Sequence, residues 1–290
     1  MISFLHRDPE ILPRLIQAVE RTLDVSGKPL VQDRIALAFG TLEGSGIRFG
    51  SVNGSLPFYP ASVVKLFYLA CLQSEVAEKK IALTAELERA RRDMIVDSNN
   101  DATALVLDTL TNSTGGPELP PKELAVWMKK RQGVNRWLSV KGINDVNLCQ
   151  KPWNEGPYGR ERQGYGKDGV LANRLNADAS LTMMAGISLG AWHKTADQKI
   201  MFDLLRREPG DPKDAQASDF IGGVLPKGWR LWSKAGWTSK VRNDVALIES
   251  PAGKRHVLVV LTRGYSEDVT LVPRLARAAL RACLPSDFRD

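Results

Sequence analysis

The sequence has few of the residues on which metal sites, disulfides and histidine-based catalysis depend. Among 290 residues there are three cysteines and three histidines. Cys71, Cys149 and Cys283 form an odd and widely spaced set, which is not typical of a disulfide framework. No two histidines have the spacing of metal ligands, which argues against a histidine-based metal site and a Ser-His-Asp triad. We therefore predict that the protein uses no metal and no other cofactor.

Long apolar runs are also missing. The longest, such as Leu66–Leu72, are far shorter than the roughly 20 residues that cross a bilayer as a helix. The N-terminus, MISFLHRDPE, meets charged residues too early to form the core of a signal peptide. We expect a cytoplasmic protein from the sequence as written, and a periplasmic or secreted one if a leader was removed.

The composition is that of a globular protein, with 43% hydrophobic and 25% charged residues. The net charge of +7 admits nucleic acid, membrane surfaces or anionic small molecules as partners. There is no long basic block and no RNA-binding aromatic motif, so nucleic-acid binding would rest on charge alone. We expect a monomer that takes a small anionic substrate, with no nucleic-acid partner and no membrane span.

Hydrophobic periodicity predicts helices in the middle of the chain and strands near both ends. A helix after Asp8-Pro9 and a hairpin around Glu43–Gly46 come first, and a second hairpin around Ser250–Gly253 precedes a final helix at 272–284. Helices are predicted over much of 61–110 and at 122–131, 177–189 and 195–207, and a long loop at 151–170. The predicted fold is α/β (α+β): an antiparallel sheet with terminal helices from residues 1–58 and 200–290, and an all-helical subdomain at 59–199.

Ser62 and Lys65 stand one helical turn apart at the start of an apolar helix. Residues i and i+3 share a helix face, so the lysine amine can take the proton that the serine must lose to become a nucleophile. Burial among apolar residues would lower the pKa of the amine and make it a better base. A chain of this length contains about one Ser-x-x-Lys by chance, and a helix cap with a surface lysine is the plain alternative.

Two further short motifs follow in order. Ser98-x-Asn100 precedes another apolar helix, where a hydroxyl and a carboxamide could relay a proton and hold a substrate amide; helix capping is the alternative. Lys234-x-Gly236 lies between β-like runs, where a lysine could hold an anion and a glycine lets a substrate approach the backbone. The competing matches are Ser51-x-Asn53, which comes before Ser62, and Lys167-x-Gly169, which has no strand after it.

Taken together, the three motifs resemble the signature of the serine β-lactamase and penicillin-binding protein superfamily, and class A β-lactamases most of all. The segments Met94–Thr103 and Arg242–Ala246 also resemble that family, and the order of helices and strands agrees with its two-part architecture. The resemblance implies these roles: Ser62 as acylated nucleophile, Lys65 as its base, Ser98 as proton relay, Asn100 as ligand of the substrate amide, Lys234 as carboxylate site, and the backbone N–H groups of Ser62 and Trp237 as oxyanion hole.

Three departures from the class A pattern bear on activity. Ala235 stands where the third motif usually has a hydroxyl residue, and Arg242 falls where some class A enzymes place a carboxylate-binding arginine. Ser62 and Ser98 are closer in sequence than is usual. The E-x-x-L-N pattern that carries the deacylating glutamate is missing. Glu155 and Glu161 lie in the corresponding interval, spacing slightly favours Glu161, and a plain surface acid is the alternative for each.

Deacylation decides between the functions that remain open. With an effective base, the protein would hydrolyse a β-lactam or related amide through a Ser62 acyl-enzyme. Without one, the acyl-enzyme would persist, as in penicillin-binding proteins, and a D-Ala-D-Ala peptidase or an esterase with the same Ser-Lys dyad is the alternative. A non-catalytic binding protein on the same scaffold is a third hypothesis, motivated by Ala235 and the unidentified base.

Overall fold

The computed structural model describes residues 2–153 and 155–288 and contains one seven-stranded sheet with helices on both faces. Strand order is β1-β3-β2-β7-β6-β5-β4, with β1 parallel to β3 and every other pair antiparallel. In chain order the elements are β1 Leu5–Arg7, α1 Ile11–Glu20, β2 Ile35–Glu43, β3 Gly46–Val52, α2 Val64–Ala77, α3 Ala85–Ile95, α4 Asn100–Thr111, α5 Pro121–Arg131, α6 Gly133–Val140, α7 Gly159–Gly164, α8 Ala177–Leu189, α9 Thr195–Leu205, β4 Arg206–Arg207, α10 Ala215–Ser218, β5 Arg230–Trp237, β6 Arg242–Glu249, β7 Arg255–Thr262 and α11 Leu271–Cys283.

The central strands are buried on both faces because successive side chains of a strand point in opposite directions. In β2, Leu37 and Phe39 join an apolar layer with α1 and α11, whereas Ala36 and Ala38 face the layer that contains α2 and α8. The sheet thus comes from both ends of the chain and is covered by the terminal helices, as predicted. The predicted α/β (α+β) fold is confirmed.

The middle of the chain is mostly helical, and α2 and α8 are buried around nearly their whole circumference. Helix α8 packs against β2, β6 and β7 as well as against α2 and α9. The helix predicted at 195–207 is wrong at its end, since Arg206 and Arg207 pair with β5 as a short edge strand. The segment predicted as a loop at 151–170 contains the short helix α7 and a turn of 3-10 helix at Lys167–Gly169. Within the described ranges, no helix is both long and apolar enough to cross a membrane.

Candidate active site

Ser62 lies in a tight turn that leads into α2. Residues Ala61–Val63 form one turn of 3-10 helix, and Ala61 has a φ of +47°, a value that residues with a side chain rarely adopt. Asn243 on β6 fixes this turn from the sheet: its Nδ2 donates to the carbonyl oxygen of Tyr59 at 2.9 Å, and its Oδ1 accepts from the backbone N of Thr262 at 2.9 Å. Such strained backbone gathers at functional sites, where surrounding contacts hold it.

Lys65 is fully buried in the first turn of α2, and its amine points to the loop before α4. Its Nζ donates to the carbonyl oxygen of Ser98 at 2.5 Å, to Ser98 Oγ at 3.2 Å and to Asn100 Oδ1 at 2.8 Å. The structure therefore joins the first motif to the second through the lysine amine.

Burial lowers the pKa of Lys65 to about 7, because an apolar environment disfavours the ammonium form. Its partners are a carbonyl, a hydroxyl and an amide oxygen, none of which carries a full negative charge. A lysine in this setting has a large fraction of neutral amine near neutral pH. It can accept a proton, which an ordinary surface lysine with a pKa above 10 cannot do efficiently.

Ser98 has a φ of +53°, so the second motif is also held in a strained conformation. The cap of α4 belongs to Asn99, whose side chain accepts a hydrogen bond from the backbone N of Ala102 at 2.8 Å. The helix is therefore capped by Asn99, which lies between Ser98 and Asn100. This leaves the Ser98 hydroxyl and the Asn100 amide oxygen to contact Lys65.

Lys234 is fully buried on β5, and its Nζ donates to the side-chain oxygen of Gln216 and to the carbonyl oxygen of Ala235. Burial holds the pKa of Lys234 well below its usual range, and the positive charges of Lys65 and Arg207 act in the same direction. Lys65 and Lys234 therefore lie close enough for their charges to interact. The amine of Lys234 is a second group beside the first two motifs that can attract an anion.

Asp244 is the buried counter-charge on this side of the site. It lies opposite Ala235 in the β5–β6 ladder, and its Oδ2 accepts from the backbone N of Ile221 at 3.1 Å. Burial raises the pKa of Asp244 to about 7, while the positive charge of Lys234 acts against that rise. The two groups share an environment that disfavours charge on either one, and each lessens the cost of ionising the other.

Gly236 brings the end of β5 against the turn that contains Ser62. A Cβ atom added to Gly236 would stand 2.5 Å from the backbone N of Ser62, 2.7 Å from that of Val63 and 2.9 Å from the carbonyl oxygen of Pro60. Only a glycine permits this approach. The backbone N of Ser62 therefore lies against Gly236, the residue before Trp237, whose backbone N–H the resemblance assigns as the second oxyanion donor.

We expect Gly236→Ala to lower the free energy of unfolding by about 1–3 kcal/mol, because the added methyl group must push rigid backbone aside. Chemical denaturation measures this directly. Gly133→Ala is the matched control, since a Cβ there would meet its nearest atom, Thr111 Cγ2, at an ordinary 3.5 Å. Equal stability of the two variants would show that β5 does not press on the Ser62 turn.

Trp237 and Arg242 border the opening of the site. Trp237 is 43% exposed and packs against the ring of Phe220, with centroids 5.4 Å apart. The guanidinium of Arg242 lies over the Phe220 ring, 4.6 Å from its centroid, and its Nη2 donates to the carbonyl oxygen of Asp219 at 3.4 Å. Burial lowers the pKa of Arg242, yet the group stays cationic because its ordinary value lies so far above neutrality.

The segment that contains α7 forms a closed loop, whose two ends at Gln150 and Asn173 are tied together beside α2. Asn173 Oδ1 accepts from the backbone N of Cys149 and of Gln150, both at 2.9 Å, and its Nδ2 donates to the carbonyl oxygen of Gln150 at 2.8 Å. The same carbonyl accepts from the hydroxyl of Tyr68, which stands three residues after Lys65 on α2, at 2.9 Å. This closed loop is in contact with the helix that carries Lys65.

Glu161, predicted as the deacylating base, lies in a buried cluster of four charges. Its Oε1 is 2.6 Å from Arg131 Nη2 and 2.9 Å from Lys151 Nζ, and Asp108 bridges the same two cations at 3.1 and 2.8 Å. The cluster joins α4, α5, the start of the loop and α7. A carboxylate held by two cations favours an anchoring role, so its predicted role as a base stays a prediction. Glu155 is exposed on the loop.

The family comparison agrees with this arrangement. A model of the β-lactamase enzyme family matches residues 32–283, which include all three motifs. The chain belongs to the β-lactamase enzyme family. It is a serine hydrolase that resembles class A β-lactamases, as the motifs predicted, and a small molecule is its substrate. A search of curated proteins found no match by sequence.

Solved structures show that this β-lactamase family member shares its fold with distant relatives. The protein PBP-A is 18% identical with a TM-score of 0.66, covering 98% of this chain and 99% of PBP-A. A β-lactamase from Chitinophaga pinensis is 17% identical with a TM-score of 0.63 (86% and 93% covered). A class A β-lactamase described as the last common ancestor of Gram-negative bacteria is 17% identical with a TM-score of 0.64 (93% and 98% covered).

The structure brings together most of the residues that the motifs singled out in this β-lactamase family member. Lys65 contacts Ser98 and Asn100, and Gly236 lies against the backbone of Ser62, one helical turn before Lys65. The other predicted binding residues, Lys234, Trp237 and Arg242, lie on the neighbouring strands β5 and β6. Sequence reasoning missed Gln216, Asn243 and the partners of Glu161. Asn243 lies in the family-like segment Arg242–Ala246, where no motif indicates a role for it, and Gln216 lies in a polar stretch that matches no motif.

Proposed function

We propose that this enzyme hydrolyses a β-lactam or a related amide through an acyl-enzyme on Ser62. The observation that carries the proposal is the setting of Lys65: fully buried, one turn from Ser62, bonded to Ser98 and Asn100, with a pKa near 7. A base of this kind is what a serine nucleophile needs when no histidine serves it.

In the proposed reaction, the Ser62 oxygen forms a bond to the substrate carbonyl carbon and its proton passes to the Lys65 amine. The backbone N–H groups of Ser62 and Trp237 stabilise the negative charge that develops on the carbonyl oxygen. When the C–N bond breaks, the leaving nitrogen takes a proton from Lys65 by way of the Ser98 hydroxyl. Water then cleaves the acyl ester, releases the acid and restores Ser62.

Substrate binding is assigned to the groups at the border of the site. Lys234 and Arg242 attract a substrate carboxylate, and Asn100 binds the substrate amide; Ala235 offers no hydroxyl, so the two cations carry this recognition. All of these groups come from one chain, so a monomer suffices for the reaction. A variant of PBP-A is described as an acyl-enzyme complex with penicillin G, which supports a β-lactam as the first substrate to try.

A second candidate function is a D-Ala-D-Ala peptidase or esterase with the same dyad, whose acyl-enzyme persists after attack on a β-lactam. One specific observation favours it: the Glu161 carboxylate is engaged by Arg131 and Lys151. A carboxylate held in this way is a poor general base for water, because a proton on it would break two ion pairs.

Intact-protein mass spectrometry after addition of penicillin G, followed over time, tests both candidates. A transient adduct with accumulation of hydrolysed penicillin is the result expected for the first, and a lasting adduct with faster turnover of a D-Ala-D-Ala peptide or ester for the second. Ser62→Ala is the control and should give no adduct. If the wild-type protein forms no adduct and turns over neither nitrocefin nor simple esters, acyl transfer at Ser62 is refuted and a binding protein remains.

A further inference from the structure

Gln216 connects Lys234 to the segment that carries Ser98. The glutamine is 5% exposed and lies in the short helix α10, in the connection between β4 and β5. Its Oε1 accepts from Lys234 Nζ, and its Nε2 donates to the carbonyl oxygen of Val96 at 3.3 Å. Val96 is the C-cap residue of α3 and lies two residues before Ser98. One side chain therefore contacts both the third motif and the approach to the second.

Arg207 also binds the C-terminal end of α3, which Gln216 contacts at Val96. Its Nη1 donates to the carbonyl oxygen of Val96 at 3.0 Å and to Asp214 Oδ2 at 3.0 Å, and its Nη2 donates to the carbonyl oxygen of Ile95 at 2.6 Å. Asp214 in turn accepts from the backbone N of Gln216 at 2.9 Å. The glutamine is thus fixed at its backbone and at both ends of its amide, which leaves it little freedom to turn away from Lys234.

We propose that Gln216 is a positioning residue that orients Lys234 toward a substrate carboxylate while adding no negative charge of its own beside the lysine. This inference rests on the proposed function, since it assigns a carboxylate-bearing substrate to the same site. An amide oxygen accepts a hydrogen bond from the ammonium group without adding a negative charge. The ammonium group keeps its attraction for an incoming anion. Ala235 provides only its backbone oxygen, so the side-chain acceptor for Lys234 comes from Gln216 on α10.

The decisive variant is Gln216→Glu, which keeps the shape of the side chain and adds a negative charge beside Lys234. We expect the second-order rate of acylation by penicillin G, a carboxylate, to fall at least about tenfold, because the new carboxylate competes for the ammonium group. The variant should need a higher penicillin G concentration to reach half of its maximal acylation rate, whereas the maximal rate itself should change little. Turnover of p-nitrophenyl acetate, which has no carboxylate, should change less than about threefold on the same grounds.

Two further proteins make the comparison specific. Gln198→Glu is the matched control, because the Gln198 amide donates to the carbonyl oxygen of Ile187 at 2.7 Å between α8 and α9, away from Lys234; it should leave both substrates unaffected. Gln216→Met removes the acceptor without adding charge, and should weaken penicillin acylation less than Gln216→Glu does. Equal losses for penicillin and for the neutral ester would overturn the proposal in favour of a merely structural role, and so would no loss for either.

A readout that does not require acylation separates this inference from the proposed function. Lysine side-chain NMR, with Lys234 assigned by its replacement with methionine, follows the titration of Lys234 directly. We expect Gln216→Glu to raise the midpoint of that titration by about one pH unit or more, since an adjacent carboxylate favours the ammonium form. An unmoved midpoint refutes the contact. A wild-type protein that penicillin does not acylate refutes the proposed function, and leaves this measurement valid.

Discussion

Replacing Lys65 by methionine is expected to lower the rate of Ser62 acylation by about 10²–10⁴-fold, the usual contribution of a positioned general base. Methionine has a similar length and suits a buried position, so it removes the amine with little change in packing. The serine hydroxyl would then face no group that can accept its proton in the transition state. Rapid-mixing measurements of penicillin adduct formation give the rate for both proteins.

The pH dependence provides an independent check on the same residue. The folded-state pKa of Lys65 is about 7, below its usual value, and the amine is the active form. Wild-type acylation should therefore rise as pH increases through about 7 and level off above it. Lys65→Met should lose this rise, because its side chain does not titrate.

Lys199→Met is the control for a lost lysine, since Lys199 lies exposed on α9 in an ion pair with Asp203 at 2.7 Å. It should acylate at the wild-type rate across the pH range. Acylation by Lys65→Met within threefold of wild type, or an unchanged pH profile, would assign the base to another group. A thermal unfolding curve for each variant confirms that the rates compare folded proteins.

Site residues and strands could be predicted from the sequence where residues close together in the chain determine the local structure. Ser62 and Lys65 could be predicted because helical spacing alone places them on one face, and a helix cap near Ser98 because residues of this type suit the start of α4. The strands of the two hairpins were predictable from alternation and turn residues. In each case the deciding interactions lie within a few residues of one another, so the local pattern contained them.

The rest depends on contacts between distant segments, which no local pattern encodes. The bond between Gln216 and Lys234 joins residues 18 positions apart across α10 and β5, and Glu161 meets Arg131 from 30 positions away. Spacing along the sequence favours Glu161 as a base. The contacts that Glu161 makes depend instead on how α4, α5 and α7 pack together. A buried glutamate and an exposed one have the same appearance in sequence.

Removing one member of the charge cluster around Arg131 is expected to cost more stability than removing one partner of a surface ion pair of this protein. Arg131 is fully buried, its guanidinium lies 4.6 Å from the centroid of Trp127, and it contacts Asp108 and Glu161. With Lys151, the four charges sum to zero. Removing one member leaves an uncompensated charge in a site that water reaches poorly, which is costly.

We predict that Arg131→Met lowers the free energy of unfolding by about 3–5 kcal/mol, the usual cost of breaking a buried ion pair from one side. A fall in Tm on the order of 10 °C should accompany it. Chemical denaturation and calorimetry measure the two quantities. Arg89→Met is the control, because Arg89 forms an exposed ion pair with Glu86 on α3, and such pairs contribute about 0–1 kcal/mol.

The double variant Arg131→Met with Glu161→Met distinguishes charge balance from simple loss of packing. It removes one positive and one negative charge and leaves Asp108 paired with Lys151 at 2.8 Å, so the cluster is again neutral. The double variant should therefore be more stable than Arg131→Met alone, although it lacks more native contacts. A double variant that is less stable than the single one would show that packing, and not compensation of charge, ties α7 and its loop to α4 and α5.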